Sequence, residues 1–149
     1  MLARTPANPF ETTRPGSFAE LMEVYENNYI YLRRLMPRRP GRATVVSRPD
    51  GRPALYLRLM EQCRYTTGLL LTHRFAGAEG VEILPNLHVR VYHDARVAEV
   101  LPGSSISGTG VRCEAAPGTL AWRWAMNRFL NRWLRHCLAE GHAFAPQQT

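Results

Sequence analysis

The chain has 149 residues, 45% of them hydrophobic, and a formal charge of +7 from 19 basic against 12 acidic residues. This length supports a buried core without staples, the balanced composition excludes a low-complexity polymer, and no apolar run approaches the ~18–20 residues that span a bilayer. Every basic residue is Arg, and the surplus charge draws anions, whether nucleic acid, phosphorylated small molecules or an acidic protein surface.

The opening residues Met1 to Pro9 hold no apolar segment of the secretory kind, so a cytoplasmic location is expected. Cys63, Cys113 and Cys137 are widely spaced, form no Cys-x-x-Cys pair and are expected to be reduced thiols. Residues 1–16, with Pro6, Pro9 and Pro15, form an extended or disordered lead. Ser17 then opens a helix, its hydroxyl facing the Glu20 amide in a capping-box pattern. Phe18, Leu21, Met22, Tyr25, Asn28, Tyr29, Leu32, Leu35 and Met36 recur at steps of three and four and mark its buried face, which Pro37 ends. Asn28 is the polar exception on that face.

Pro37 to Arg42 is a basic connector, Thr44 to Arg48 a short strand and Pro49 to Pro53 a turn. Leu55, Leu57 and Leu59 alternate with Tyr56 and Arg58 as a half-buried strand. Pairing Leu57 with Leu69 and Leu55 with Leu71 closes a hairpin around Gln62-Cys63-Arg64, with Gly68 marking a bulge or a close backbone approach. Ala76 to Gly80 is expected to be a loop, and Val81 to Pro85 leads into the stretch from Leu87 to Leu101. A single strand of that length would be far longer than the usual ~5–6 residues, so the polar run His93-Asp94-Ala95-Arg96 is a turn. Facing Tyr92 with Val97 then places Arg90 opposite Glu99, Val91 opposite Ala98 and Val89 opposite Val100, sorting small aliphatics to one side and an opposite-charge pair to the other. A four-residue loop fits, because a two-residue Asp-Ala loop would force Ala95 to positive φ.

Pro102 to Gly110 is a flexible loop, and its glycines follow no phosphate-loop pattern. Val111 to Glu114 is a possible edge strand. The last element runs from about Thr119 to Glu140, stopped by Gly141, with Trp122, Met126, Phe129, Leu130, Trp133, Leu134, Cys137 and Leu138 on its buried face and Arg128, Arg132 and Arg135 along its wet side. The order of elements implies an α+β fold, a curved antiparallel sheet of hairpins with the N-terminal and C-terminal helices packed on one face. The expected organisation is a lead over 1–16, one α+β domain over 17–141 and a loose tail over 142–149.

No metal or cofactor is expected. His73, His88, His93 and Asp94 come nearest to a ligand set, but His88 and His93 have opposite strand parity and no second spaced pair completes the site. No Ser sits in a nucleophile elbow and no Cys has a His partner nearby in the sequence. The strongest constellation is Glu61, Arg64, Tyr65, His93 and Asp94, which the two hairpins place in or beside turns. Together they offer a carboxylate, a guanidinium, a phenol and an imidazole for holding an anion or moving a proton. The competing structural account has Asp94 capping its own turn and Glu61 paired with Arg64.

The combination Arg64-Tyr65-Thr66-Thr67, then Val89 to Ala95 with Val97 to Val100, then Asn127, Phe129, Leu130, Trp133 to Arg135, Cys137, Leu138 and Gly141 resembles the YqiB-like family of uncharacterised bacterial proteins. Asn28, Tyr29, Leu32 and Leu35 before Pro37 are similar too, and Tyr92-His93-Asp94-Ala95 is the most specific part. The resemblance implies no activity. It does imply that Glu61, Arg64, Tyr65, His93 and Asp94 belong to the family pattern, whereas His88, Arg128, Arg132 and His136 do not.

These observations lead to a non-catalytic cytoplasmic binding or regulatory module that recognises an anionic small molecule or an acidic protein partner at the turns, without a membrane. One alternative is an enzyme acting on a phosphorylated nucleotide with His93 as acid or base and Arg64 holding charge. A weaker one is RNA binding through the Arg-rich surface, helped by Arg128 and Arg132.

Overall fold

The computed structural model describes residues 17–36, 44–77, 80–106 and 112–144. The lead before Ser17, the basic connector from Pro37, the glycine-rich end of the loop after Pro102 and the last five residues, 145–149, lie outside them.

The elements run α1 (Phe18–Leu35), β1 (Val45–Ser47), β2 (Ala54–Gln62), β3 (Thr66–Gly77), β4 (Gly80–Tyr92), β5 (Val97–Val100) and α2 (Leu120–Ala139). The five strands form one open antiparallel meander in chain order, giving the α+β class. Alternation sends Leu55, Leu57, Leu69, Leu71, Leu87, Val89, Val91, Ala98 and Val100 to one face, where they are buried with Leu32, Leu35 and the apolar stripe of α2. α1 lies against α2 and along β5. Leu21, Tyr25 and Trp124 bury Val97 there, so an apolar cluster covers the β5 edge.

The β4–β5 register is the expected one, Val89 with Val100, Arg90 with Glu99, Val91 with Ala98 and Tyr92 with Val97. The loop is His93 to Arg96, and Arg96 takes positive φ of 56° to bring the chain back into β5. The β2–β3 register differs from expectation. Leu57 pairs with Leu71, Leu55 with His73 and Leu59 with Leu69, a shift of two that keeps every leucine on its face. Its cause is local: the turn sits at Cys63–Tyr65 and the ladder slips between Leu59 and Glu61, a bulge that sets Glu61 opposite Gly68. This is the bulge that Gly68 suggested in the sequence; a Cβ on Gly68 would make only ordinary contacts, 3.4 Å from the Glu61 Cβ and 3.5 Å from His88 Nε2.

Three other expectations are corrected. Ala76 pairs with Val81 and Gly77 with Gly80, so the β3–β4 ladder, already in register from Thr66, continues through three of the five residues of the anticipated loop, and 78–79 lie outside the described residues. Arg112 to Glu114 is not a strand. β4 is instead extended in its pairing by the chain just after β5, where Leu101 N–H donates to His88 O at 2.8 Å and Ser105 exchanges both backbone bonds with Asn86. Phe18 is 71% exposed, since the helix-to-helix contact begins only at Leu21.

Both helices start on hydroxyl caps: Ser17 accepts from Glu20 N–H and Thr119 from Trp122 N–H, each at 3.2 Å. α2 ends in a Schellman pattern. His142 N–H reaches Cys137 O at 3.0 Å and Gly141 N–H reaches Leu138 O at 3.1 Å, with Gly141 at φ 89°. Beyond it the chain stays anchored, Ala143 N–H on Ser47 Oγ at 3.1 Å and Phe144 N–H on Leu35 O at 3.0 Å.

Candidate functional site

In an antiparallel meander alternate turns fall at the same end of the sheet, so the Cys63–Tyr65 turn, which enters β3, and the His93–Arg96 turn, which leaves β4, sit on neighbouring strands. They are joined directly. His93 N–H donates to Tyr65 O at 2.8 Å, one step beyond the Thr66–Tyr92 pair, and Cys63 N–H donates to Thr66 O at 2.8 Å. The turns carrying Glu61, Arg64, Tyr65, His93 and Asp94 therefore meet in space.

Their side chains do not act as one constellation. His93 Nε2 lies 2.6 Å from Thr67 Oγ1, and Thr67 is buried on the inner face, so this contact orients the imidazole. The Arg64 guanidinium lies 5.1 Å from the centre of the Tyr65 ring, and the ring is 52% exposed. Asp94 Oδ1 accepts from Ala95 N–H at 2.9 Å, the turn-capping role. Glu61 is not paired with Arg64 among the described residues; it accepts from the Cys63 thiol at 3.2 Å and faces Arg90 across Gly68.

Arg90 lies opposite Glu99, but Glu99 is held by other groups, Tyr92 Oη at 2.7 Å and Arg123 Nη1 at 3.2 Å. Arg90 is raised above the ordinary guanidinium range first by a hydrogen bond to Tyr92, with Glu61 and Glu99 adding to it against desolvation. On α2, Arg128 lies 5.0 Å from the Trp124 ring centre, while Arg132 and Arg135 are exposed.

A second polar cluster, not anticipated from the sequence, is buried between α2 and the far part of the sheet. Trp133 Nε1 donates to His73 Nδ1 at 2.9 Å, and His73 Nε2 stands 3.7 Å from Cys137 Sγ. His142 Nδ1 meets Ser47 Oγ at 2.9 Å. The signal was present as parity: His73 continues the inward row of Leu69 and Leu71, and Trp133 and Cys137 are one helical turn apart.

This Cys–His pair is unsuited to nucleophilic catalysis. Because Nδ1 accepts from Trp133, the neutral imidazole carries its proton on Nε2 and has no lone pair for the thiol. Desolvation pushes His73 down to about 4, helped by His142 and His136, and pushes Cys137 up to about 12, helped by Glu140. Among the described residues no group of three or more His, Cys, Asp or Glu could hold a metal ion, and no helix is long and apolar enough to cross a membrane.

Residues 31–143 match the family model described as "Protein of unknown function (DUF1249)". The chain belongs to this family. Uncharacterized protein YqiB of Escherichia coli strain K12 is similar to this DUF1249 chain, with 37% identity over 132 residues, covering 87% of the chain and 94% of that relative. The YqiB proteins of E. coli O6:H1 and O157:H7 match to the same extent. No solved structure matches. All five turn-end candidates fall inside the matched residues 31–143.

Proposed function

We propose that this DUF1249 protein is a cytoplasmic, non-catalytic binding or regulatory module that recognises an anionic ligand or the acidic patch of a partner where its two turns meet. The observation that carries this reading is the 2.8 Å bond from His93 N–H to Tyr65 O, which makes one surface of two turns distant in sequence. Arg64 and Arg96 are exposed on that surface, and neither has an ion-pair partner among the described residues. The carboxylates there are partly occupied, Asp94 by its own turn and Glu61 by a thiol, which leaves the guanidinium of Arg64 and the imidazole of His93 as the groups for an incoming anion. Holding Arg64 against Tyr65 lowers the entropy lost when it grips a ligand.

The test is a thermal-shift screen of nucleotides and glutamate-rich peptides on the full chain, repeated with Arg64→Ala. A stabilising compound whose effect disappears in the variant supports the reading. A blank screen, or a shift that Arg64→Ala leaves intact, contradicts it.

A further inference from the structure

Both helices pack on one face of the sheet, and the opposite face of β1, β2 and β3 carries a surface cluster of Arg48, Tyr56 and Arg74 that the turn-end reading does not use. Tyr56 points outward from β2, paired with Val46 on one side and Thr72 on the other. Arg74 pairs with Ala54, and Arg48 lies one step beyond the Ser47–Leu55 pair, so the two arginines flank the small side chain of Ala54 on neighbouring strands. Both lean toward Tyr56. Arg48 Nη2 donates to its hydroxyl at 2.9 Å, and the Arg74 guanidinium lies 4.1 Å from the centre of its ring.

Two exposed arginines with open water around them have room to splay apart, yet here they converge on one phenol. Strands are spaced about 4.8 Å, so the arginine backbones stand roughly 10 Å apart across β2, a span that two long side chains close around a single small anion. Neither has an ion-pair partner among the described residues. Along β2 toward Gln62 the next two outward rows bring no acid: one is Tyr56, Thr72 and Asn86, the other Arg58, Leu70 and His88. The charge is felt by the phenol, which is held below its ordinary value first by the Arg48 hydrogen bond and also by Arg74.

We propose that this cluster binds a phosphoryl group, seated above Ala54 with Arg48 and Arg74 as a two-sided clamp and Tyr56 between them. Planar guanidinium forks match the tetrahedral oxygens of a phosphate, and the missing bulk at Ala54 supplies the space. The adjacent Arg58 extends the positive field along the same strand, and the Thr72 hydroxyl, which donates to Asn86 Oδ1 at 2.8 Å, holds that carboxamide in place at the far side. The phosphoryl group belongs to either a free phosphate ester or a nucleic-acid backbone. The cluster is some nine residues of strand, or about 30 Å, from the Cys63–Tyr65 turn, so it stands or falls apart from the turn-end site.

The experiment is isothermal titration of the full chain with ADP and, separately, with a twelve-residue oligothymidylate at two salt concentrations. Arg48→Gln and Arg74→Gln are each expected to weaken binding by about tenfold or more, in line with loss of a charge-assisted hydrogen bond. Ala54→Leu is expected to weaken it comparably while keeping both charges, and circular dichroism verifies that each variant is folded. Weakening with ADP identifies a free phosphate ester as sufficient. Weakening confined to the oligonucleotide, with a salt slope above one, identifies the backbone. Absence of saturable binding to both probes, binding that the three folded variants retain, or an equal loss in Arg132→Gln on α2 overturns the proposal. Arg64→Ala is expected to leave the phosphate affinity unchanged, which separates failure here from failure at the turns.

Discussion

Trp133 donates its indole N–H to His73 Nδ1, 2.9 Å away in the core, and that bond decides what the imidazole can do. It fixes the neutral tautomer and leaves the ring no means of taking a proton on Nδ1 without losing its partner. His73 is held down at about 4, against 6.5 for a free imidazole. The unfolded chain therefore binds the extra proton first, and stability falls as pH drops from about 6.5 to 4. The expected loss is roughly 3 kcal/mol, with His142, also lowered mainly by burial, adding to it. Urea denaturation at pH 7.5, 5.5 and 4 measures this, and His73→Gln should flatten the slope in that window. A wild-type stability that stays level down to pH 4 contradicts the assignment.

Asn127 joins three elements. Its Oδ1 accepts from Val100 N–H at 2.9 Å, its Nδ2 donates to Arg123 O at 2.8 Å, and Asn28 Nδ2 approaches its Oδ1 at 3.5 Å and its carbonyl at 3.4 Å. Asn127→Ala removes the acceptor of a buried strand amide and opens a void, so a loss of roughly 2–4 kcal/mol is expected in chemical denaturation. Asn28→Ala should cost less, because its two bonds are long and its own Oδ1 has no partner among the described residues. The reverse order would place the weight of this junction on α1.

Gly141 closes α2 at φ 89°, a conformation that costs a side chain about 1 kcal/mol. Gly141→Ala should destabilise by that amount and also loosen the segment from His142 to Phe144, since His142 and Ala143 both rest on Ser47 Oγ. Hydrogen exchange at the amides of Ala143 and Phe144 is the readout, with faster exchange in the variant expected. Unchanged protection would show that the anchoring does not depend on the helix stop.

The hairpin at His93–Arg96 was legible because period-two alternation and an opposite-charge pair select the same register. The β2–β3 register was not, because the bulge beside Glu61 adds an unpaired residue without leaving an apolar signature, and a shift of two is invisible to alternation. The face of α2 was read from its apolar spacing, but Trp124 and Asn127 fell outside it. They are buried by α1 and β5, contacts remote in sequence. The meeting of the two turns was left open by the sequence, because it depends on β3 and β4 being neighbours in the sheet. The buried His73–Trp133–Cys137 group was missed because its members lie far apart along the chain, and the clamp at Tyr56 because surface arginines look alike until their neighbours are known.

Anion recognition at the turns requires that both of them respond as one surface, and backbone amide shifts in a nuclear magnetic resonance titration with a glutamate-rich peptide read this out residue by residue. The expected result is a concerted, saturable displacement of the Arg64, Tyr65, His93 and Arg96 amides that Arg64→Ala abolishes while the resting spectrum stays folded. Displacements confined elsewhere, or amides on only one turn responding, would contradict it.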